Sequence, residues 1–148
     1  MIKTLVLGLG NTLFKDDGLG VQAIEQLEVA GLSVEIKNGA TLGLGLFETL
    51  KNADKAVVVD AVDMGQTPGT IARFTALEIL DLPASQNFSL HEIGLLEVLK
   101  IGKSLNEDFR NVIIIGVQPK EIGPGEGLSE EVEKAVPQVL EMIKKEVA

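Results

Sequence analysis

Three short apolar runs rich in Val, Ile and Leu recur along the chain, at residues 4–9 (TLVLGL), 56–60 (AVVVD) and 112–117 (VIIIGV). Each is too short for a core helix and too uniformly apolar for a strand with one wet face. They read as strands buried on both sides, an environment that a mostly parallel sheet covered by helices provides. Residues 33–37 (SVEIK) and 70–74 (TIARF) alternate apolar and polar side chains and read as strands nearer an edge. Helical stretches lie between the strands. Asp17 can cap a helix reaching about Leu27, with Val21, Ile24 and Leu27 inward, and Ser89 can cap another in which Ile93, Leu96 and Leu99 recur. A last helix starts at Ser129, carries Glu130 and Glu131 where carboxylates favour the helix dipole, and keeps its period through Val147, with a kink expected at Pro137.

Strand, helix, strand over residues 4–37 is a right-handed βαβ unit. Only the turn DMGQTPG (63–69) joins the third and fourth strands, too few residues for a parallel crossover, so the fourth strand should run antiparallel. The expected fold is therefore α/β: a three-layer α/β/α domain around a mostly parallel, twisted sheet of about five strands. With no repeat, low-complexity tract or linker, residues 1–148 read as a single domain.

Composition removes several function classes. Thirteen Lys and Arg against 22 Asp and Glu give a net charge of −9, the wrong sign for a surface that binds nucleic acid by neutralising phosphates. Cysteine is absent, which excludes disulfides, thiolate nucleophiles and thiolate metal sites and leaves oxygen and imidazole as metal donors. No segment approaches the ~20 apolar residues of a membrane span or the pattern of a secretory signal. A cytoplasmic protein is expected. No heptad seam appears in the helices, so a monomer is expected.

Ligands of open α/β sheets bind outside the carboxyl ends of the parallel strands. Three features map there: Gly8-Leu9-Gly10-Asn11 with Asp16-Asp17-Gly18, Asp60 at the end of its valine run, and His91, the only histidine. Gly8 and Gly10 suggest a dinucleotide fingerprint, but Leu13 stands where its third glycine belongs and two aspartates stand where a pyrophosphate needs a bare helix terminus. A tight turn explains the glycines equally well. Asp17 alone reads most economically as a helix cap. Asp60 is costly to bury unless hydrogen-bonded or bound to a cation. Taken together, two carboxylates and an imidazole suit a borderline divalent metal or an acid–base site, and close carboxylates repel without a cation or a shared proton. Asp16, Asp63 and Glu92 are weaker candidates, each readable as a solvated turn or helix residue. No GxSxG elbow is present, and Ser89 is better explained as a cap than as a nucleophile.

The segments GLGNTLFKDDGLG (8–20), VVVDAVDMGQTPGT (57–70), SLHEIGL (89–95) and IIGVQP (114–119) together resemble the nickel-iron hydrogenase maturation endopeptidases, over residues 3 to about 140. The resemblance implies an endopeptidase that removes a C-terminal extension from the hydrogenase large-subunit precursor after nickel insertion. Nickel, carried by the substrate, would be the recognition element, and no organic cofactor is implied. Asp17, Asp60 and His91 match the family's metal-contacting residues. A metal-assisted mechanism, with one aspartate positioning or deprotonating water, and an aspartic-protease-like mechanism both remain open. The family's substrate-recognition loop, usually an acidic residue or His followed by Gly-Gly-Thr, here reads Asn38-Gly39-Ala40-Thr41. The reading from a different class is a noncatalytic nickel-binding or metal-delivery protein, and a plain nucleotide-binding domain stands third.

Overall fold

The computed structural model describes residues 3–27, 34–40, 42–81 and 94–148. Five strands form one sheet: β1 (Thr4–Gly8), β2 (Glu35–Asn38), β3 (Lys55–Ala61), β4 (Ile71–Thr75) and β5 (Val112–Val117), in the order β2-β1-β3-β5-β4. β2, β1, β3 and β5 are parallel, and β4 runs antiparallel to β5, as the short connection before it requires. β4 does not form a hairpin with β3. It crosses β5 to the far edge, where Ile71 faces Val117 and Thr75 faces Ile113.

The helices are α1 (Leu19–Glu25), α2 (Gly45–Lys51), α3 (Ala76–Leu80), α4 (Leu95–Ser104) and α5 (Glu130–Val147). Strand alternation divides the core between the two faces of the sheet. Val6, Val57, Val59, Ile115 and Val117 pack with Leu19, Ala23 and Ile24 of α1 and Val132, Val136, Val139 and Ile143 of α5. Leu5, Leu7, Ala56, Val58 and Ile114 pack with Leu46 and Leu50 of α2, Ile79 of α3 and Val98 and Leu99 of α4. The result is the three-layer α/β/α arrangement that runs buried on both faces demand.

Local chemistry accounts for several boundaries. Ser129 caps α5, its hydroxyl accepting the Val132 N–H. That helix runs on through Pro137, which lies on its exposed face, where a carbonyl deprived of its helical donor has access to water. Thr75 opens α3 with a reciprocal capping box: it accepts the Glu78 N–H, and the Glu78 carboxylate accepts the Thr75 N–H. α2 and α3, of seven and five residues, are additions to the three helices expected from periodicity. Asp17 corrects another expectation. It does not cap α1, whose N-cap is Gly18; it lies in a 3₁₀ turn, Lys15–Gly18, that precedes the helix. The expected cap at Ser89, and Ile93 with it, lie outside the described residues, and α4 begins after Gly94.

Candidate active site at the carboxyl ends of the strands

The carboxyl end of β1 is folded back on itself too tightly for side chains. Gly10 has φ +105°, and a Cβ there would sit 1.7 Å from the Asp17 carbonyl oxygen. Gly20 approaches the neighbouring strand just as closely, a Cβ there falling 2.1 Å from the Val59 carbonyl oxygen. Glycine at both positions lets the segment carrying Asp17 settle directly over the end of β3, which is where Asp60 stands. Leu9 completes the junction by donating its N–H to Val59 O at 3.0 Å. The turn reading of these glycines therefore accounts for them without a pyrophosphate.

Asp17 and Asp60 are 1% and 2% exposed. Asp17 Oδ2 accepts the Asn11 N–H at 2.9 Å, so the turn after β1 orients its carboxylate. Asp60 Oδ1 accepts the N–H of the next residue, Ala61, at 2.9 Å. A carboxylate oxygen is of the donor type that divalent cations take, and it is also able to accept a proton from water. The third expected member, His91, lies outside the described residues, as do Ser89 and Glu92. Among the described residues alone, no group of three or more His, Asp or Glu side chains is placed to hold a metal.

The loop expected to recognise substrate borders the same place. Asn38 pairs with Gly8 in the sheet, the Gly39 N–H donates to Gly8 O at 2.8 Å, and Asn38 Oδ1 accepts the Ala40 N–H at 2.9 Å. Thr41 lies outside the described residues. A cavity of about 250 Å³ lined by Leu77, Leu80, Leu99 and Phe109 opens instead beside the start of β5, at the opposite end of the sheet.

Asp16 departs from its expected role as a solvated turn residue. It is 0% exposed, and its two carboxylate oxygens accept four hydrogen bonds. Oδ2 accepts the N–H groups of Lys120 and Glu121 at 2.8 and 2.9 Å and the Ser129 hydroxyl at 2.8 Å; Oδ1 accepts the Ser129 N–H at 2.7 Å. Burial works against its ionisation, but these donors outweigh it, led by the Glu121 N–H, and hold the carboxyl below the usual aspartate value. Asp63 is also engaged, its Oδ1 accepting the Gly65 N–H and the Gln118 amide at 3.1 Å each. Gln118 was not among the residues singled out from the sequence. A lone amide directly after an apolar strand was the available signal.

Hydrogenase maturation protease is the family whose sequence profile matches residues 21–146. The chain belongs to that family. A putative hydrogenase maturation protease of Methanocaldococcus jannaschii is 36% identical over 150 residues, covering 97% of this chain and 95% of its own. A hydrogenase expression/formation protein, HupD, of Thiocapsa roseopersicina is 37% identical, covering 93% of this chain. The present chain spans 64% of that longer relative's length. Among solved structures, the [NiFe] hydrogenase maturation protease HybD from Thermococcus kodakarensis matches with a TM-score of 0.77 at 29% identity, covering 99% of this chain and 100% of its own. The hydrogenase maturating endopeptidase HybD from Escherichia coli matches at 0.76 and 28%, covering 96% and 90%. The similarity in fold therefore extends over the whole sheet and both helical layers.

Proposed function

We propose that this protein is an endopeptidase that removes the C-terminal extension of a nickel-iron hydrogenase large-subunit precursor once nickel is in place. The observation that carries the reading is the burial of Asp17 and Asp60 together at the carboxyl end of the parallel strands, in a chain of the hydrogenase maturation protease family. Nickel arrives as part of the substrate. Asp17, Asp60 and His91 are the residues proposed to meet it, two carboxylates and an imidazole matching the preference of a borderline divalent ion. The loop at 38–41, beside the end of β1, is proposed to contact the precursor chain.

Cleavage consumes one water molecule. Its oxygen adds to the scissile carbonyl carbon, its proton passes to one aspartate carboxylate, and the C–N bond breaks as the leaving amine takes up a proton. Burial favours this task, because a carboxylate removed from bulk water has fewer competing donors around the oxygen that meets the attacking water.

The test is cleavage of a large-subunit precursor, with and without nickel, by the parent and by Asp17→Asn, Asp60→Asn and His91→Ala. Shortening of only the nickel-loaded precursor, with a loss of about 10²-fold or more in each variant, is expected. No cleavage by the parent, together with tight nickel binding by the protein alone and transfer of the ion to the precursor, would establish metal delivery instead.

A further inference from the structure

Asp16, directly before Asp17, and the loop that leaves β3 after Asp60 both hang on one short stretch of chain, residues 118–121, directly after β5. On the Asp60 side the contact is Gln118, only 6% exposed. Its Oε1 accepts the Met64 N–H at 2.6 Å and the Gln66 N–H at 3.2 Å, while its Nε2 donates to Asp63 Oδ1 at 3.1 Å. Its backbone closes the far end of the same loop, donating to Thr70 O at 2.8 Å and accepting from the Gly69 N–H at 2.9 Å. On the Asp17 side, two residues further on, Lys120 and Glu121 donate their N–H groups to the Asp16 carboxylate, and Glu121 O accepts the Asp16 N–H at 3.0 Å. Pro119 joins the two halves with a fixed φ, so the link is stiff.

We propose that residues 118–121 brace the turn bearing Asp17 against the loop that leaves β3 just after Asp60, and that Gln118 is a positioning residue for the hydrolytic reaction. The inference rests on the reading of Asp17 and Asp60 as the reacting pair. The chemistry of position 118 follows from its surroundings. Two backbone N–H groups need an acceptor there and the Asp63 carboxylate needs a donor, and a side-chain amide offers both at one end. Glutamate keeps the acceptor and sets two carboxylates against each other. The loop leaving β3 then shifts, and with it the carboxyl end of the strand on which Asp60 stands, while the loop at 38–41 is untouched. Misplacement of a reacting group by about 1 Å is enough to lower turnover about a hundredfold.

The experiment is steady-state cleavage of the nickel-loaded precursor by Gln118→Glu, Asp63→Asn, the double variant and Gln118→Asn, with Asp17→Asn and Asp60→Asn alongside. Gln118→Glu is expected to lower kcat by about ten- to a hundredfold with KM within about threefold of the parent. The double variant, which restores a donor–acceptor pair between positions 118 and 63 at the expense of the Gly65 N–H contact that shares Asp63 Oδ1, is expected to recover at least about threefold in kcat over Gln118→Glu. Purely structural damage would not be repaired in this way. Gln118→Asn keeps the amide but withdraws it by one methylene, and the same loss of kcat is expected without a new charge. A parental kcat in Gln118→Asn, a rise in KM at unchanged kcat, or a double variant no faster than Gln118→Glu would each overturn the brace. Should Gln118→Glu not fold, Gln118→Asn decides the matter alone. Parental cleavage by both aspartate variants overturns the site reading and the brace with it. Lost cleavage in those two beside a parental Gln118→Glu overturns the brace only.

Discussion

A buried carboxylate is stable where donors surround it, and Asp16 accepts four hydrogen bonds from residues more than a hundred positions away in the sequence. Asparagine there has almost the same shape but one acceptor oxygen, and its NH₂ group would face N–H donors. One or two donors left unsatisfied at about 1–3 kcal/mol each give an expected destabilisation of about 2–4 kcal/mol for Asp16→Asn. A solvated turn residue would give less than about 0.5 kcal/mol, and urea unfolding monitored by circular dichroism separates the two. This residue also marks a limit of reading from sequence. In the pair Asp16-Asp17, spacing points to a carboxylate at the strand end but does not say which of the two is consumed by the scaffold, because the deciding donors are backbone groups of a distant loop. Gln118 was hidden for a related reason: its partners, at 63, 64 and 66, become neighbours only when β3 and β5 pair.

Elements whose identity rests on local chemistry were the most readable. The β-branched runs at β1, β3 and β5 announced strands because nothing else buries four to six consecutive apolar residues in so short a span. The antiparallel sense of β4 followed from connection length, whereas its neighbour did not, since a short link fixes direction and leaves open which edge the strand joins. α2 and α3 escaped because seven and five residues hold too few turns to show a period, although Thr75-Ala76-Leu77-Glu78 spells the capping box that opens α3. α5 is the opposite case: Val132, Val136, Val139 and Ile143 recur at helical spacing and all are buried on one face of the sheet. Each such side chain contributes about 1.5–3 kcal/mol by leaving water. Ile143→Ala also leaves a cavity, and it is expected to cost about 2–5 kcal/mol in the same urea experiment while sparing the KM for precursor, because Ile143 lies near the far end of α5 from Ser129, the helix cap that meets Asp16.

At the scale of the whole molecule, α5 is tied to the central strand and to the edge strand two places away by one carboxylate. Glu146, near the end of α5, bonds the Arg73 guanidinium of β4 and lies 3.2 Å from the Lys55 Nζ at the start of β3. The Arg73 hydrogen bond is the largest influence on its carboxyl; burial opposes it, and the Lys55 contact reinforces it, so that the group is held below the usual glutamate value. The sign of the pH effect follows. A carboxyl with a lower pKa folded than unfolded contributes its full stability above the ordinary glutamate range and loses that contribution as pH falls through the folded value. Lys55 and Arg73 are 38% and 49% exposed, so water and salt screen both pairs and each contributes at most about 1 kcal/mol. Between pH 7 and pH 3 the parent is therefore expected to lose more unfolding free energy than Glu146→Gln, by about 1–2 kcal/mol in low salt, with the difference shrinking in 1 M salt as screening shortens to about 3 Å. Parallel pH profiles for the two proteins would show that the contacts of α5 with the sheet are apolar in their energetics, with the ion pairs serving only to seat the helix end.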